Sequence, residues 1–139
     1  MFIQDTTESQ QPYINASVTR CKDVCNTLQG SGQLDKVEGL RMAVIAFRDY
    51  RDQYVTNDFN GFTYDVNTVL SNLSSLEAAG GDDLPEALTA ALDKALKLKW
   101  RANAVKIAVL ITDAPPHGIG ERKDDYYDGE PNGMLQTSI

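Results

Sequence analysis

The chain has 139 residues, of which 42% are hydrophobic and 24% are charged, a composition typical of one globular domain with its own core. Its formal net charge is −7, so nucleic-acid backbones and anionic membrane surfaces would repel it, whereas cations would be attracted. The apolar runs fall short of the roughly 20 residues that a membrane helix needs, which predicts no membrane insertion. We treat residues 1–139 as a single domain.

The N-terminal part of the chain predicts a strand followed by a helix. Residues 2–4 indicate the stub of a strand. Residues 14–28 carry apolar side chains at alternating spacings of four and three, which predicts an amphipathic helix that ends near residues 30–32. Cys21 and Cys25 share one face of this helix. We interpret them as reduced thiols of the core, because a disulfide within an intact helix would be strained.

Two strands and a second helix are predicted in the middle of the chain. The unbroken apolar run at residues 41–48 is typical of a strand buried on both faces of a sheet. Residues 53–56, together with Phe59, predict an edge strand. Residues 66–76 have the spacing of a second amphipathic helix.

A third helix, a further strand and a long loop segment complete the chain. The helix is expected to open at Pro85, since proline suits the first helical turn. Residues 105–112 predict another strand that is buried on both faces. From residue 114 to residue 139 the chain is rich in Pro, Gly and Asp, which indicates a loop-rich segment. The acidic run at residues 124–130 within it predicts a solvated loop.

This order predicts an α/β fold with a doubly wound, mostly parallel sheet and helices on both faces. In such folds ligands bind at the carboxyl ends of the strands. Three polar segments are expected to converge there, namely Asp5-Thr6-Thr7-Glu8-Ser9, Gly80-Gly81-Asp82-Asp83-Leu84-Pro85-Glu86 and Ile111-Thr112-Asp113. Their carboxylates and hydroxyls are the hard oxygen ligands that Mg²⁺ favours. The competing interpretation is helix capping, for which Asp, Ser and Thr are preferred.

The same segments resemble the von Willebrand factor type A domain. Asp5-x-Thr7-x-Ser9 after a strand matches the Asp-x-Ser/Thr-x-Ser signature of that family's metal-ion-dependent adhesion site, and Asp113 matches its distal aspartate. Three further segments are similar to a branch of the family found beside certain α-kinases. They are Phe47-Arg48-Asp49-Tyr50, Gly80-Gly81-Asp82-Asp83-x-Pro85-Glu86-Ala87-Leu88 and Thr112-Asp113-Ala114-Pro115-Pro116-His117-Gly118.

The resemblance implies a non-enzymatic module that binds a protein partner through a divalent cation, which is Mg²⁺ or else Mn²⁺ or Ca²⁺. The Thr7 and Ser9 hydroxyls would be direct ligands. Asp5 and Asp113 would hold the cation mainly through water molecules that they orient. An acidic side chain of the partner would complete the coordination, because mostly neutral direct ligands leave the cation electrophilic.

Some residues of the site depart from the family pattern. The family's middle ligand is often a threonine, whereas the matching loop here offers Asp82 and Asp83, which become candidate ligands or caps of the third helix. Glu8 stands where related sequences usually have glycine, and its side chain either faces solvent or occupies the partner's coordination position. His117, the single histidine, is a candidate partner contact, although an exposed loop residue is the plainer interpretation.

Length is another departure from the family. Family members continue with two further strand–helix units after the strand that ends at Thr112, and the 139 residues lack these last units. That strand would then lie at the edge of the sheet. An apolar edge with unpaired N–H and C=O groups invites pairing with a second copy. A homodimer or an element swap through this edge is one expectation, and a shortened domain of marginal stability is the other.

Two other functions compete with this interpretation. A metal-independent interaction or self-assembling protein is one, because Glu8 and the missing threonine weaken the site. A Mg²⁺ phosphohydrolase with Asp5 as nucleophile is the other, and it is disfavoured because Thr7 stands where such enzymes usually carry an acid/base aspartate.

The N-terminal residues lack the order of a signal peptide, so a cytoplasmic location is expected. Secretion is the alternative, with sequons at Asn15 and Asn72.

Overall fold

The structure is a computed structural model that describes residues 1–31 and 39–131, which contain four strands and three helices. The strands are β1 (Phe2–Asp5), β2 (Val44–Phe47), β3 (Thr56–Asn57) and β4 (Val109–Ile111). The helices are α1 (Ile14–Gly30), α2 (Val66–Ser74) and α3 (Leu88–Lys97), and a single 3-10 turn covers Glu8–Gln10. Among the described residues, no helix is long and apolar enough to cross a membrane.

The strands form one mixed sheet in the order β3-β2-β1-β4. β1 lies between β2 and β4 and pairs in parallel with both, so that Asp5 stands opposite Phe47 and Gln4 stands opposite Ile111. β3 pairs antiparallel with β2. The carboxyl ends of three parallel strands therefore meet at one edge. This confirms the predicted α/β fold with a mostly parallel sheet.

Successive strand residues point to opposite faces of the sheet, so both faces carry apolar side chains and both are covered by helices. On one face α1 and α2 enclose a core that includes Phe2, Ile14, Val18, Val44, Val69 and Leu73. On the other face α3 contributes to a second core of Ile3, Ile45, Phe47, Ala91 and Ala95. Cys21 and Cys25 of α1 are buried free thiols, as predicted, and burial raises the pKa of Cys21 to about 11.

The two clearest strand predictions are confirmed in part. β2 occupies only the second half of the predicted run at residues 41–48, and Met42 forms an isolated bridge with Thr63 instead. β4 is shorter than predicted as well. The prediction that it is buried on both faces is wrong, since Val109 is 40% exposed and Leu110 is 43% exposed. β4 lies at an edge of the described sheet, as expected, and this position leaves its side chains open to solvent.

The third helix begins at Leu88, so the predicted start at Pro85 is wrong. The N–H of Glu86 donates to the carbonyl of Pro115, and Glu86 forms an isolated parallel bridge with Pro116. This pairing with the C-terminal segment holds Glu86 in an extended conformation. The helix therefore starts only after that residue.

The described part of the C-terminal segment, residues 114–131, contains turns and no helix or strand, as predicted. The prediction that its acidic run is solvated is wrong for Asp124 and Glu130, which are both buried. The remaining residues of the predicted loop segment, 132–139, lie outside the described residues, as does Gly32 beside the end of α1.

Candidate functional site

Four of the predicted site residues meet at the carboxyl edge of the sheet. Asp5, the last residue of β1, is fully buried, and its Oδ1 accepts hydrogen bonds from the Thr7 N–H at 2.9 Å and the Thr7 hydroxyl at 2.7 Å. The Thr7 hydroxyl lies 3.4 Å from the Ser9 hydroxyl, which donates to Asp113 Oδ1 at 3.0 Å. A chain of polar contacts therefore links the end of β1 to the loop after β4.

A tight turn directly after β1 brings these side chains together. The N–H of Gln10 donates to the Thr7 carbonyl at 3.0 Å, which closes the 3-10 turn and sets Thr7 and Ser9 on the same side. The other carboxylate oxygen of Asp5, Oδ2, accepts a hydrogen bond from the Thr112 hydroxyl at 2.8 Å. Both oxygens of Asp5 are thus held by neighbours from two separate segments.

The environment of Asp5 opposes its negative charge. Burial raises the pKa of Asp5, and the charge of Asp113 acts in the same direction. Hydrogen bonds from Thr7 and Thr112 offset this effect only in part, so the pKa stays above its ordinary value. A cation at this edge would favour the ionised carboxylate.

Glu86 lies in the second of the three polar segments expected to converge here, but the sequence did not single it out as a ligand. Its side chain is 3% exposed, and its Oε2 has no hydrogen-bond partner among the described residues. Burial and the nearby charge of Asp5 raise the pKa of Glu86 to about 8, against the opposing effect of the polar Thr7 side chain. Glu86 stands in a segment that resembles the family, but its position at the expected helix start concealed its contact with Thr7.

Two glycines allow the loop before α3 to approach this edge closely. Gly80 and Gly81 have φ angles of 78° and 83°, a region that side chains other than glycine rarely adopt. A Cβ atom on Gly81 would lie 2.7 Å from Glu86 Oε1 and 2.9 Å from Thr7 Cβ. The Gly80 carbonyl accepts a hydrogen bond from the N–H of Glu8 at 2.9 Å, which fixes the loop beside the turn after β1.

The other predicted residues lie outside this chain of polar contacts. Asp82 is exposed, while Asp83 is half-buried and its Oδ2 accepts the N–H of Asp125 at 2.8 Å. The alternative that Asp82 or Asp83 caps α3 is wrong, because the N-cap residue is Ala87 and no side chain caps it. Glu8 is exposed and lines an open groove beside Gly80. Its role towards a partner stays a prediction.

The prediction that His117 is an exposed loop residue is wrong. The side chain is fully buried. Its Nε2 lies 2.6 Å from Asp49 Oδ1 and its Nδ1 lies 3.0 Å from Asp124 Oδ1. The rings of Tyr50 and Tyr126 pack against the imidazole. Burial alone would lower the pKa of His117, but the hydrogen bonds to the two aspartates outweigh it, so the pKa is raised.

Asp83 belongs with His117 in a second polar cluster. Asp49, Asp83 and His117 each offer a ligand atom, and these atoms all lie within 4.8 Å of one another. Burial raises the pKa of Asp83, and the charges of Asp49 and Asp124 add to that effect. Asp49 and His117 are 68 residues apart, so no local pattern in the sequence could reveal their contact.

Comparison with known proteins agrees with this architecture. The sequence profile of the von Willebrand factor type A domain matches residues 1–116. The chain is also 28% identical over 138 residues to the alpha-protein kinase vwkA of Dictyostelium discoideum, an alignment that covers 96% of this chain and 21% of that protein. The chain thus spans about a fifth of the length of the curated relative it matches. The profile match, the fold and this relative together show that the chain belongs to the von Willebrand factor type A domain family, near the branch associated with α-kinases.

Proposed function

We propose that the domain is a protein-interaction module whose contact with its partner depends on a divalent cation, preferably Mg²⁺, at the edge formed by Asp5, Thr7, Ser9 and Asp113. The observation that carries the proposal is the continuous chain of polar contacts from Asp5 to Asp113. It gathers carboxylates and hydroxyls from both ends of the described chain at one point. Such a set of oxygen donors is the one that hard cations prefer.

The buried carboxyl group of Glu86 supports the presence of a cation. A buried carboxylate oxygen without a hydrogen-bond partner costs free energy, unless a proton or a cation meets it. Ionisation of Glu86 is also opposed by the charge of Asp5 in the same buried region. A divalent cation near Thr7 would offset both effects. Glu86 therefore joins the predicted residues that would hold the ion.

The exposure of the site indicates how a partner would reach the cation. Asp5 and Thr7 are buried, whereas Ser9 and Asp113 are exposed, so access is from the side of Ser9 and Asp113. A carboxylate of the partner would complete the coordination from that side. Glu86 adds negative charge to the site, which strengthens cation binding and weakens the attraction for an acidic partner.

A metal-independent interaction is the second candidate, and the exposed edge at β4 favours it. Val109 and Leu110 are open to solvent, and Val105 and Ile107 before them are 90% and 65% exposed. Such an edge invites pairing with a strand of another chain, including a second copy. The name of vwkA refers to a kinase, but this chain aligns with only 21% of that protein. We propose no enzymatic role for the domain.

Calorimetric titration of the chelator-stripped protein with Mg²⁺, Mn²⁺ and Ca²⁺ tests the cation dependence. We expect saturable binding near one site per chain, weakened at least about tenfold by Asp113→Ala. Asp23→Ala is the matched control, because it removes an exposed aspartate of α1 that pairs with Arg20 on the surface of the helix.

The absence of both binding heat and thermal stabilisation would refute the cation-dependent function. Light scattering with Mg²⁺ or with a chelator would then examine the second candidate. A dimer whose population is the same under both conditions would support it, and a monomer at all concentrations would count against self-assembly.

A further inference from the structure

His117 is held in the way that proteins hold a metal-binding imidazole. Asp124 accepts a hydrogen bond at Nδ1, and Asp124 itself is fixed by the N–H groups of Gly118 at 3.0 Å and Tyr126 at 2.7 Å. A carboxylate on one ring nitrogen orients the ring and increases the basicity of the other nitrogen. That other nitrogen, Nε2, faces Asp49.

Two carboxylate groups lie close to Nε2 of His117. Asp49 is 4% exposed and contacts the imidazole directly, and Asp83 offers an oxygen within 4.8 Å of both other ligand atoms. The Oδ1 atom of Asp83 is buried and has no hydrogen-bond partner among the described residues. Such an acceptor remains available to a cation.

The balance of charge in this buried region leads to the same conclusion. The carboxylates of Asp49, Asp83 and Asp124 surround one imidazole, so even a protonated His117 leaves an excess of negative charge. Glu130 adds to this excess when it ionises, since it is 6% exposed and its Oε2 has no hydrogen-bond partner among the described residues. Burying uncompensated charge is costly, and a dication would remove that cost.

We propose that Asp49, Asp83 and His117 form a second metal site, separate from the Asp5 edge, for a transition-metal dication such as Zn²⁺. One imidazole nitrogen and two carboxylate oxygens are a three-ligand set that Zn²⁺ accepts, with further positions open to water. Mg²⁺ prefers oxygen ligands alone, so the imidazole distinguishes this site from the first one. Zn²⁺ takes the lone pair of Nε2, the Nε2 proton leaves to solvent, and the Nδ1 proton stays on the hydrogen bond to Asp124.

Binding at this site connects three segments of the fold. Asp49 follows β2, Asp83 lies in the loop before α3, and His117 lies in the C-terminal segment. A metal ion that joins these segments stabilises the folded state, because the unfolded chain does not hold the ligands together. Zn²⁺ is therefore expected to raise the melting temperature of the full chain.

Titration of the full chain with Zn²⁺ in excess Mg²⁺ tests the proposal, because Mg²⁺ occupies an oxygen-only site in advance. We expect one equivalent of Zn²⁺ to bind under these conditions. Since His117 is the single histidine, nitrogen-15 spectra contain the signals of one imidazole ring. Zn²⁺ should shift the Nε2 signal and leave the proton on Nδ1.

Four variants separate this site from the alternatives. Asp83→Asn and His117→Gln should each weaken Zn²⁺ binding at least about tenfold. Asp83→Asn is informative even if the buried His117→Gln variant fails to fold, since Asp83 is only half-buried. Asp113→Ala should retain Zn²⁺ binding, because it belongs to the other site. Cys21→Ala should retain it as well, which would exclude a Zn²⁺ site formed by the pair of thiols of α1.

Imidazole signals that do not respond to Zn²⁺ would overturn the proposal, as would an Asp83→Asn variant with the Zn²⁺ affinity of the unmodified protein. The outcome is independent of the adhesion-type site. Zn²⁺ binding that depends on His117 supports the second site whether or not Mg²⁺ binds at Asp5.

Discussion

The Ser9 hydroxyl donates a hydrogen bond of 3.0 Å to Asp113 Oδ1, although 104 positions separate the two residues in the sequence. Both side chains are exposed, whereas Asp5 and Thr7, which continue the same chain of contacts, are buried. The candidate cation site therefore has a buried part, Asp5 and Thr7, and an exposed part, Ser9 and Asp113. Substitutions in the exposed part are expected to alter cation binding with little effect on folding.

Ser9→Ala is the first prediction, and it separates binding from stability. The variant removes one proposed ligand and one exposed hydrogen bond, so the free energy of unfolding should change by less than about 0.5 kcal/mol. Mg²⁺ affinity should fall by about tenfold or more. Calorimetry and urea unfolding measure the two quantities. Ser74→Ala, which removes an exposed serine hydroxyl at the end of α2, should leave Mg²⁺ affinity unchanged. Unaltered Mg²⁺ affinity in Ser9→Ala would show that Ser9 is not a ligand.

Glu86→Gln is expected to stabilise the cation-free protein and to weaken its response to Mg²⁺. At neutral pH the cation-free folded protein must hold Glu86 largely protonated, which the unfolded chain does not require, and the neutral glutamine avoids this cost, so the melting temperature in a chelator should rise. The increase in melting temperature on adding Mg²⁺ should become smaller, because one carboxylate of the site is lost. Thermal unfolding with and without Mg²⁺ measures both effects.

The control for this substitution is Glu121→Gln, at an exposed glutamate of the C-terminal segment. It should behave like the unmodified protein in both conditions. A Glu86→Gln variant that is less stable in the chelator and responds fully to Mg²⁺ would contradict a cation-holding role for Glu86.

Gly80→Ala should destabilise the fold far more than Gly120→Ala, although both glycines have a φ of 78°. A Cβ atom on Gly80 would lie 1.9 Å from Asp52 Oδ1, whereas a Cβ atom on Gly120 would meet no atom of the described residues within 4 Å. The Asp52 carboxylate cannot move freely, since it accepts the N–H groups of Asp49 and Gly81. We expect Gly120→Ala to cost about 1 kcal/mol from backbone strain, and Gly80→Ala roughly 2 kcal/mol more. If urea unfolding gave the same loss of unfolding free energy for both variants, the Asp52 side chain would be able to move away from the new Cβ atom at no cost.

The helices on one face of the sheet could be predicted well from the sequence, because their apolar spacing is local. The stripe of α1 runs from Ile14, and the helix ends at Gly30, where the glycines predicted its end. The start of α3 could not be predicted in this way. Proline at position 85 favours a helix, but the hydrogen bond between Glu86 and Pro115 holds the chain extended until Leu88. A tertiary contact therefore outweighed a local preference.

The two polar clusters differ in the same respect. Thr7 and Ser9 follow Asp5 within one short turn, so a local motif was sufficient to place them together. One partner of His117, Asp49, lies 68 residues away and the other, Asp124, lies seven residues further along the same loop segment, so the contact with Asp49 could not be predicted from neighbours in sequence. A single histidine between proline and glycine resembles an exposed loop residue until the fold is known.

The pH dependence of stability should reveal the buried carboxyl group of Glu130. Burial and the charge of Asp49 raise the pKa of Glu130 from 4.5 to about 7, and the Tyr50 hydroxyl donates to its Oε1. Between these pH values the folded protein keeps a proton that the unfolded chain has lost, so the free energy of unfolding falls as the pH rises from about 4.5 to about 7. The full effect is roughly 3.5 kcal/mol, at about 1.4 kcal/mol for each pKa unit.

Glu130→Gln removes this ionisation and keeps an acceptor for Tyr50. The variant should therefore gain stability relative to the unmodified protein as the pH rises, with the largest difference above pH about 7. The raised pKa of His117 also makes stability fall with rising pH, but it does so in both proteins and cancels in the difference. Urea unfolding of both proteins from about pH 5 to about pH 9 measures this difference, with the exposed Glu121→Gln as control. Parallel curves for Glu130→Gln and the unmodified protein would mean that Glu130 ionises normally in the folded state.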